Sequence, residues 1–211
     1  MTIVDLRPSD DFEFKPGKGS VLLIACGALA REIVDLIERN HWEAFDLQCL
    51  PAKWHNTPDK IVPAVREKIR AAKAHYRSIF VLYGDCGTGG QLDALLSEEG
   101  VERIDGPHCY AFFSGNAEFE THSEEDVTSF FLTDYLARHF DKLVWSGLGL
   151  DKHPDLLPLY FGNYQRIVYL AQTRDDGLER KARAAAEKLG LGYEYRFTGY
   201  GELETDLEQR G

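Results

Sequence analysis

Short apolar runs alternate with longer amphipathic stretches along most of this chain, and that alternation leaves few folds open. "SVLLIACG" reads as a buried strand, and "ALAREIVDLIERN" sets Leu29, Ile33, Leu36 and Ile37 on one helical face. "FDLQCLP" predicts a second strand. "NTPDKIVPAVREKIRAAKAHY" predicts a helix capped by Asn56 or Thr57, with Pro58 in its first turn and Pro63 bending it or delaying its start. "SIFVLYG" is the third strand, "GQLDALLSEEG" a helix stopped at Gly100, and "VERID" a short fourth strand. Then "GPHCYAFFSGNAEFETHSEED" shows no period and reads as a long functional loop, and "VTSFFLTDYLARHFDKLVW" reads as a helix. "SGLGLDKHPD" is a glycine-bearing loop and "LLPLYFGNY" a short irregular or helical piece. "QRIVYLA" reads as a strand, "DDGLERKARAAAEKLG" as an amphipathic helix ended by Gly190, and "LGYEYRF" as an edge strand. Strands separated by helices imply an α/β fold with a mainly parallel, doubly wound sheet flanked by helices, a three-layer αβα arrangement.

With 211 residues, 44% of them hydrophobic, the chain has enough apolar material for one core. Residues 21–211 are expected to form a single α/β domain, with 1–20 as an amino-terminal tail or arm. A formal net charge of −11 argues against nucleic acid and against an anionic membrane as partners. The longest apolar runs are far too short to span a bilayer, and "MTIVDLRPSDDFEFKPGKGS" lacks a signal-peptide core, so a cytoplasmic location is expected. Four cysteines in such a chain read as free thiols or metal ligands, not as a disulfide framework.

In parallel sheets ligands bind outside the carboxyl ends of the strands. Cys26 closes "VLLIAC", Cys86 lies in the glycine turn "YGDCGTGG", and Cys109 follows "VERIDGPH". Cys49, inside its strand, reads as a small core residue. "CGALAREI", "LPAKWHNTPDKI", "YGDCGTGG", "GPHCYAFFSG", "FFLTDYL" and "FGNY" resemble the successive motifs of an uncharacterised prokaryotic family, domain of unknown function 1638. The resemblance covers nearly all of the chain after residue 20. It places Cys26, Cys86 and Cys109 inside motifs, and it implies proximity to corrinoid-dependent methyl-transfer proteins, so a corrinoid or methyltransferase protein is an expected partner.

Taken singly, each cysteine also reads as a small buried residue. Three at equivalent strand ends favour a shared role, because clustered thiolates repel unless a metal ion neutralises them. The first reading is therefore a metal site of Cys26, Cys86 and Cys109, holding zinc or an iron–sulfur cluster with one position open to a small-molecule substrate in sulfur or one-carbon chemistry. Spacing does not separate the two metals. The second is a metal-free small-anion cradle whose N–H groups come from Gly84, Gly87, Gly89 and Gly90, while Gly27, Gly84, Gly87 and Gly89 are the candidate cofactor-binding glycines. It lacks the Gly-Lys-Ser/Thr ending of a phosphate loop, and Asp85 opposes an anion. The third is a nucleophilic cysteine served by a histidine, with a helix amino terminus activating Cys86. His55 and Glu32 are candidate proton-transfer groups, and His108, beside Cys109, is a candidate or a supporting residue. Asp134 is expected to face water; Asn163 and Tyr164 are read as structural.

Overall fold

The computed structural model describes residues 3–4 and 16–211. The chain divides into two compact units, one comprising the residues up to Phe112 together with Leu203–Gly211, the other Phe113–Glu202. The stretch 21–211, expected to carry one sheet, thus carries two, both parallel and both flanked by helices. The passage from one unit to the next lies within a helix, so no proline- or glycine-rich linker marks it in the sequence.

In the first unit β1 (Ile3–Val4), β2 (Val21–Cys26), α1 (Ala30–Arg39), β3 (Phe45–Leu50), α2 (Ile61–Ala72), β4 (Ser78–Leu82), α3 (Gln91–Glu99) and β5 (Glu102–Arg103) follow in turn. The strands are all parallel in the order β1-β3-β2-β4-β5. Every residue of β2 is buried, as a strand covered on both faces requires, and α1 packs through Ile33, Leu36 and Ile37. Two short 3-10 turns, Ala52–Asn56 and Pro58–Lys60, precede α2. The helix starts at Ile61, which leaves Pro63 in its first turn, where a missing N–H disturbs no helical bond. Of the amino-terminal twenty residues, 1–2 and 5–15 lie outside the described residues. Ile3–Val4 adds an edge strand to β3, and the Gly17 and Gly19 N–H groups donate to the Tyr76 hydroxyl and the Asp46 carboxylate at 3.0 and 2.9 Å.

The aperiodic stretch expected as a loop contains three short helices, α4 (Cys109–Ser114), α5 (Asn116–Thr121) and α6 (Ser123–Asp126). At four to six residues each, they are too short to show a period. "SFFL", expected to be helical, is β6 (Ser129–Leu132), and Thr133 then caps α7 (Asp134–Phe140) by accepting the Leu136 N–H. The second unit continues with α8 (Leu157–Phe161), β7 (Arg166–Ala171), α9 (Asp176–Leu189) and β8 (Gly192–Phe197), in the parallel order β6-β7-β8. Its core gathers Leu132, Phe140, Phe161, Ile167, Tyr169, Leu178 and Leu189. Asp134 does not face water. It is 1% exposed, and its carboxylate accepts from the Tyr169 hydroxyl at 2.7 Å and from the N–H groups of Gln172 and Thr173 at 3.1 and 3.0 Å. Finally α10 (Gly201–Glu208) carries the chain back to the first unit. Among the described residues no helix is long and apolar enough to cross a membrane.

Candidate functional site

Sheet topology fixes where the site lies in the first unit. The chain passes from β2 outward to β3, then crosses to β4 on the other side of β2, so the direction of winding reverses between β2 and β4. The crevice beyond their carboxyl ends is where such sheets bind ligands. Cys26 is the last residue of β2, and Tyr83 and the glycine turn follow β4 directly. Ala25 pairs with Leu82, so Tyr83 comes next to Cys26 in register.

Each thiol is set by its own connection. Cys26 is buried and caps the turn Gly27–Leu29, its sulfur accepting the Ala28 N–H at 3.4 Å. A side chain at Gly27 would strike the Leu50 carbonyl at 2.9 Å, so this glycine admits the end of β3. Cys86 stands in the left-handed region at φ +47, an unfavourable conformation for a residue with a Cβ. Cys109 begins α4 and is drawn to the turn by backbone contact. The Asp85 N–H donates to the Pro107 carbonyl at 2.9 Å, and a Cβ on Gly84 would lie 2.5 Å from the His108 Cα. Gly84 is therefore a close-approach glycine, and Gly87, at φ +84, a conformational one.

The glycine turn is not an open anion cradle. The Asp85 carboxylate accepts from the Gly90 N–H at 2.7 Å, the Gly89 N–H at 3.1 Å and the Thr88 hydroxyl at 2.8 Å, occupying the donors a phosphate would use. Those bonds hold the Asp85 carboxyl below its usual range, the Gly90 N–H contributing most.

The thiols are close enough to feel one another. Burial pushes the Cys26 thiol up to about 11, against the Ala28 N–H and the Tyr83 hydroxyl, which favour the thiolate. Burial, and then the proximity of Cys26 and Cys86, raises Cys109 well above an ordinary thiol. Cys49 is pushed up to about 12 by burial and by Cys26, with Lys68 opposing. Cys49, in β3, is partly buried. None of the four is in a disulfide.

His55 lies at the rim. Its Nδ1 is 2.9 Å from the Ala52 carbonyl and 3.9 Å from the Cys26 sulfur. A carbonyl only accepts, so Nδ1 carries the proton and Nε2 is left for other partners. Dehydration, the largest single influence, favours the neutral ring, but Cys86 and the Ala52 carbonyl together outweigh it and raise the His55 pKa. The ring stacks on Tyr83 at 6.4 Å between centroids and 18° between planes. His108 is held down by burial and by His55, and packs edge-on to Tyr110 at 4.9 Å. Glu32, in the first turn of α1, is buried and raises Cys109. All six side chains expected at the site, Cys26, Cys86, Cys109, His55, His108 and Glu32, thus belong to one neighbourhood. Among the described residues no three His, Cys, Asp or Glu side chains stand as a ready ligand set for a metal ion. Tyr83 was not among the expected residues. It reads in the sequence as a strand end, and only the pairing of β2 with β4 sets it beside Cys26.

The family model described as "Protein of unknown function (DUF1638)" matches residues 49–207, which include Cys86, Cys109, His55 and His108 but begin after Cys26 and Glu32. No curated protein matches the chain. A solved structure, ornithine carbamoyltransferase from Pyrococcus furiosus, is similar over 85% of this chain and 55% of that one, at 13% identity and a TM-score of 0.30. The chain spans about half the length of that protein.

Proposed function

We propose, for a chain that belongs to the DUF1638 family of proteins of unknown function, that the thiol cluster beyond β2 and β4 is the working site and binds a thiophilic metal, as zinc or an iron–sulfur cluster, through Cys26, Cys86 and Cys109. The observation that carries this reading is the convergence of three thiols from three separate connections on the crevice where the winding reverses. Their donor chemistry fits a soft metal. Burial keeps Cys26 and Cys109 protonated, and a metal ion would displace such protons, so loading would turn neutral thiols into thiolates. Held by these three residues, a metal would leave room for a small-molecule substrate and would supply Lewis acidity for sulfur or one-carbon group transfer. His55, at the rim with Cys86 beside it, would take or return the proton; Glu32 would balance charge against Cys109. Four free thiols suit a reducing compartment, which favours the cytoplasm.

The test is elemental analysis and a visible spectrum of protein purified without oxygen, beside the Cys26→Ser/Cys86→Ser/Cys109→Ser variant. The single Cys86→Ser variant serves as a second control because Cys86 is only partly buried. Stoichiometric iron or zinc, lost in both variants, is expected. No metal after anaerobic reconstitution would overturn the proposal.

A second reading is favoured by the electrostatic influence of Cys86, which raises the His55 pKa. In it the Cys86 thiol passes its proton to His55, and the thiolate attacks a soft electrophile whose leaving group departs with its electron pair. Stoichiometric alkylation of Cys86 in metal-free protein, slowed by His55→Ala, would support it over the metal.

A further inference from the structure

In the second sheet β8 pairs with β7 on one side, and among the described residues no strand lies on its other side. The Gly192 N–H donates to the Gln165 carbonyl at 2.9 Å and the Thr198 N–H to the Ala171 carbonyl at 3.0 Å, so the even-numbered residues turn their backbone groups toward β7. Tyr193, Tyr195 and Phe197 therefore turn theirs outward, where a further strand would bond. The edge lacks the usual guards of proline, lysine and bulge: "GYEYRF" holds neither residue, and its pairing with β7 runs residue for residue. Its two charges, Glu194 and Arg196, are of opposite sign and bonded to one another at 2.6 Å. Tyr195 and Phe197 remain 36% and 45% exposed, although Tyr169 packs edge-on to the one and the Arg174 guanidinium lies over the other.

We propose that this edge pairs with the same edge of a second copy of the chain, antiparallel about a two-fold axis through Tyr195, joining two three-stranded sheets into one. An axis normal to the sheet keeps the aromatic residues on one face and the charged ones on the other, so it must pass through a residue of β8 and not between two. Placed on Glu194 or Arg196, it would set like charges directly opposite each other, which destabilises a strand pair. Placed on Tyr193 or Phe197, it would carry both charges past their counterparts. Only on Tyr195 does Glu194 face Arg196 of the second copy, with Tyr193 facing Phe197 on the other side of the sheet. The backbone agrees with that choice. Tyr195 meets its own counterpart, and Tyr193 meets Phe197, as pairs whose outward N–H and C=O groups exchange both bonds. A strand from an unrelated protein need not match this order of charges, and that self-complementarity is what favours a second copy. The pairing is independent of the thiol cluster in the first unit.

The experiment is sedimentation velocity of the full chain over a range of concentrations, for wild type, Tyr195→Lys and Tyr195→Phe, together with oxidative cross-linking of Tyr195→Cys, Tyr193→Cys and Phe197→Cys against wild type. Wild type is expected to reach the mass of a dimer as concentration rises. Tyr195→Lys, which sets two like charges on the axis, is expected to weaken self-association by roughly tenfold or more, and Tyr195→Phe to leave it unchanged. Tyr195→Cys alone should give disulfide-linked dimers above the wild-type background, because only position 195 faces its own counterpart, at the Cα spacing of about 5.5 Å that a disulfide spans. Cross-linking needs no charge on the strand, so it decides the matter even where Tyr195→Lys fails to fold. A wild type that stays monomeric at every concentration overturns the pairing and leaves the edge to an extended segment of a different protein. Dimers that persist in Tyr195→Lys, or that cross-link equally well in Tyr193→Cys or Phe197→Cys, overturn it in favour of another surface or register.

Discussion

Cys86 is the residue where stability and function are opposed. At φ +47 its Cβ crowds the backbone, a conformation glycine adopts freely, and three neighbours in the same turn, Gly87, Gly89 and Gly90, are glycines at positive φ. Were the turn only a turn, glycine would serve at 86 as well. Cys86→Gly should therefore raise the unfolding free energy of the metal-free protein by about 1 kcal/mol in urea titration, while Cys86→Ala, which keeps the Cβ, should not. Both should lose the thiol's metal binding or alkylation. A destabilised Cys86→Gly would mean that the sulfur packs instead of reacting. Part of this was legible in the sequence: a cysteine among glycines after a strand, and two more at equivalent ends. The φ value, and the capture of the turn's N–H groups by Asp85, were not, because both depend on three-dimensional closure of the loop. Asp134 was misread for a related reason. Its partners Tyr169, Gln172 and Thr173 are more than thirty residues away, beyond any local pattern.

At the level of elements, β2, β4 and β7 were plain in the sequence because parallel strands buried on both faces write continuous apolar runs. β6 was not, since "FFL" ahead of an amphipathic stretch fits the helical face as well as a strand. What ties the end of α6 to the second sheet is also long-range. Asp126 accepts from Arg196 on β8 at 2.6 and 2.9 Å and from Arg166 on β7 at 3.0 Å. Burial alone would raise its carboxyl, but the two guanidinium groups prevail and hold it below the ordinary value. A carboxyl depressed in the folded state stabilises at pH above its unfolded value of about 3.9, and that contribution is lost as pH falls through the folded value. Asp126→Asn should cost about 2 kcal/mol at pH 7, the scale of hydrogen bonds to charged groups. The gap to wild type should narrow below about pH 3.9. A gap that persists undiminished at acid pH would show that shape, not charge, holds these elements together.

For the molecule as a whole, the tail of the chain matters more than its composition suggests. Leu203–Gly211 belongs to the first unit although ninety residues of the second unit precede it in the chain. Leu203 and Leu207 are fully buried, and the Arg210 guanidinium lies over the Phe80 ring of β4 at 3.7 Å. Ion pairs from Arg39 to Glu204 at 3.0 Å and from Arg210 to Glu102 at 3.1 Å are exposed and add little. Burial of the two leucines dominates, at roughly 1.5–3 kcal/mol each. Ending the chain after Glu202 should then remove about 4 kcal/mol from the first unit, a large part of the 5–15 kcal/mol typical of a whole domain. Because Phe80 leads along β4 to Tyr83 and Cys86, the loss should reach the thiol cluster. The truncated protein should melt earlier, be cut by protease within the first unit before the second, and label faster at Cys26 with a thiol reagent. The Leu203→Ala/Leu207→Ala variant of the full chain should reproduce all three changes, since it removes the same apolar burial while keeping the ion pairs. If truncation leaves the melting temperature and Cys26 labelling unchanged, the first sheet and its site stand without the returning helix.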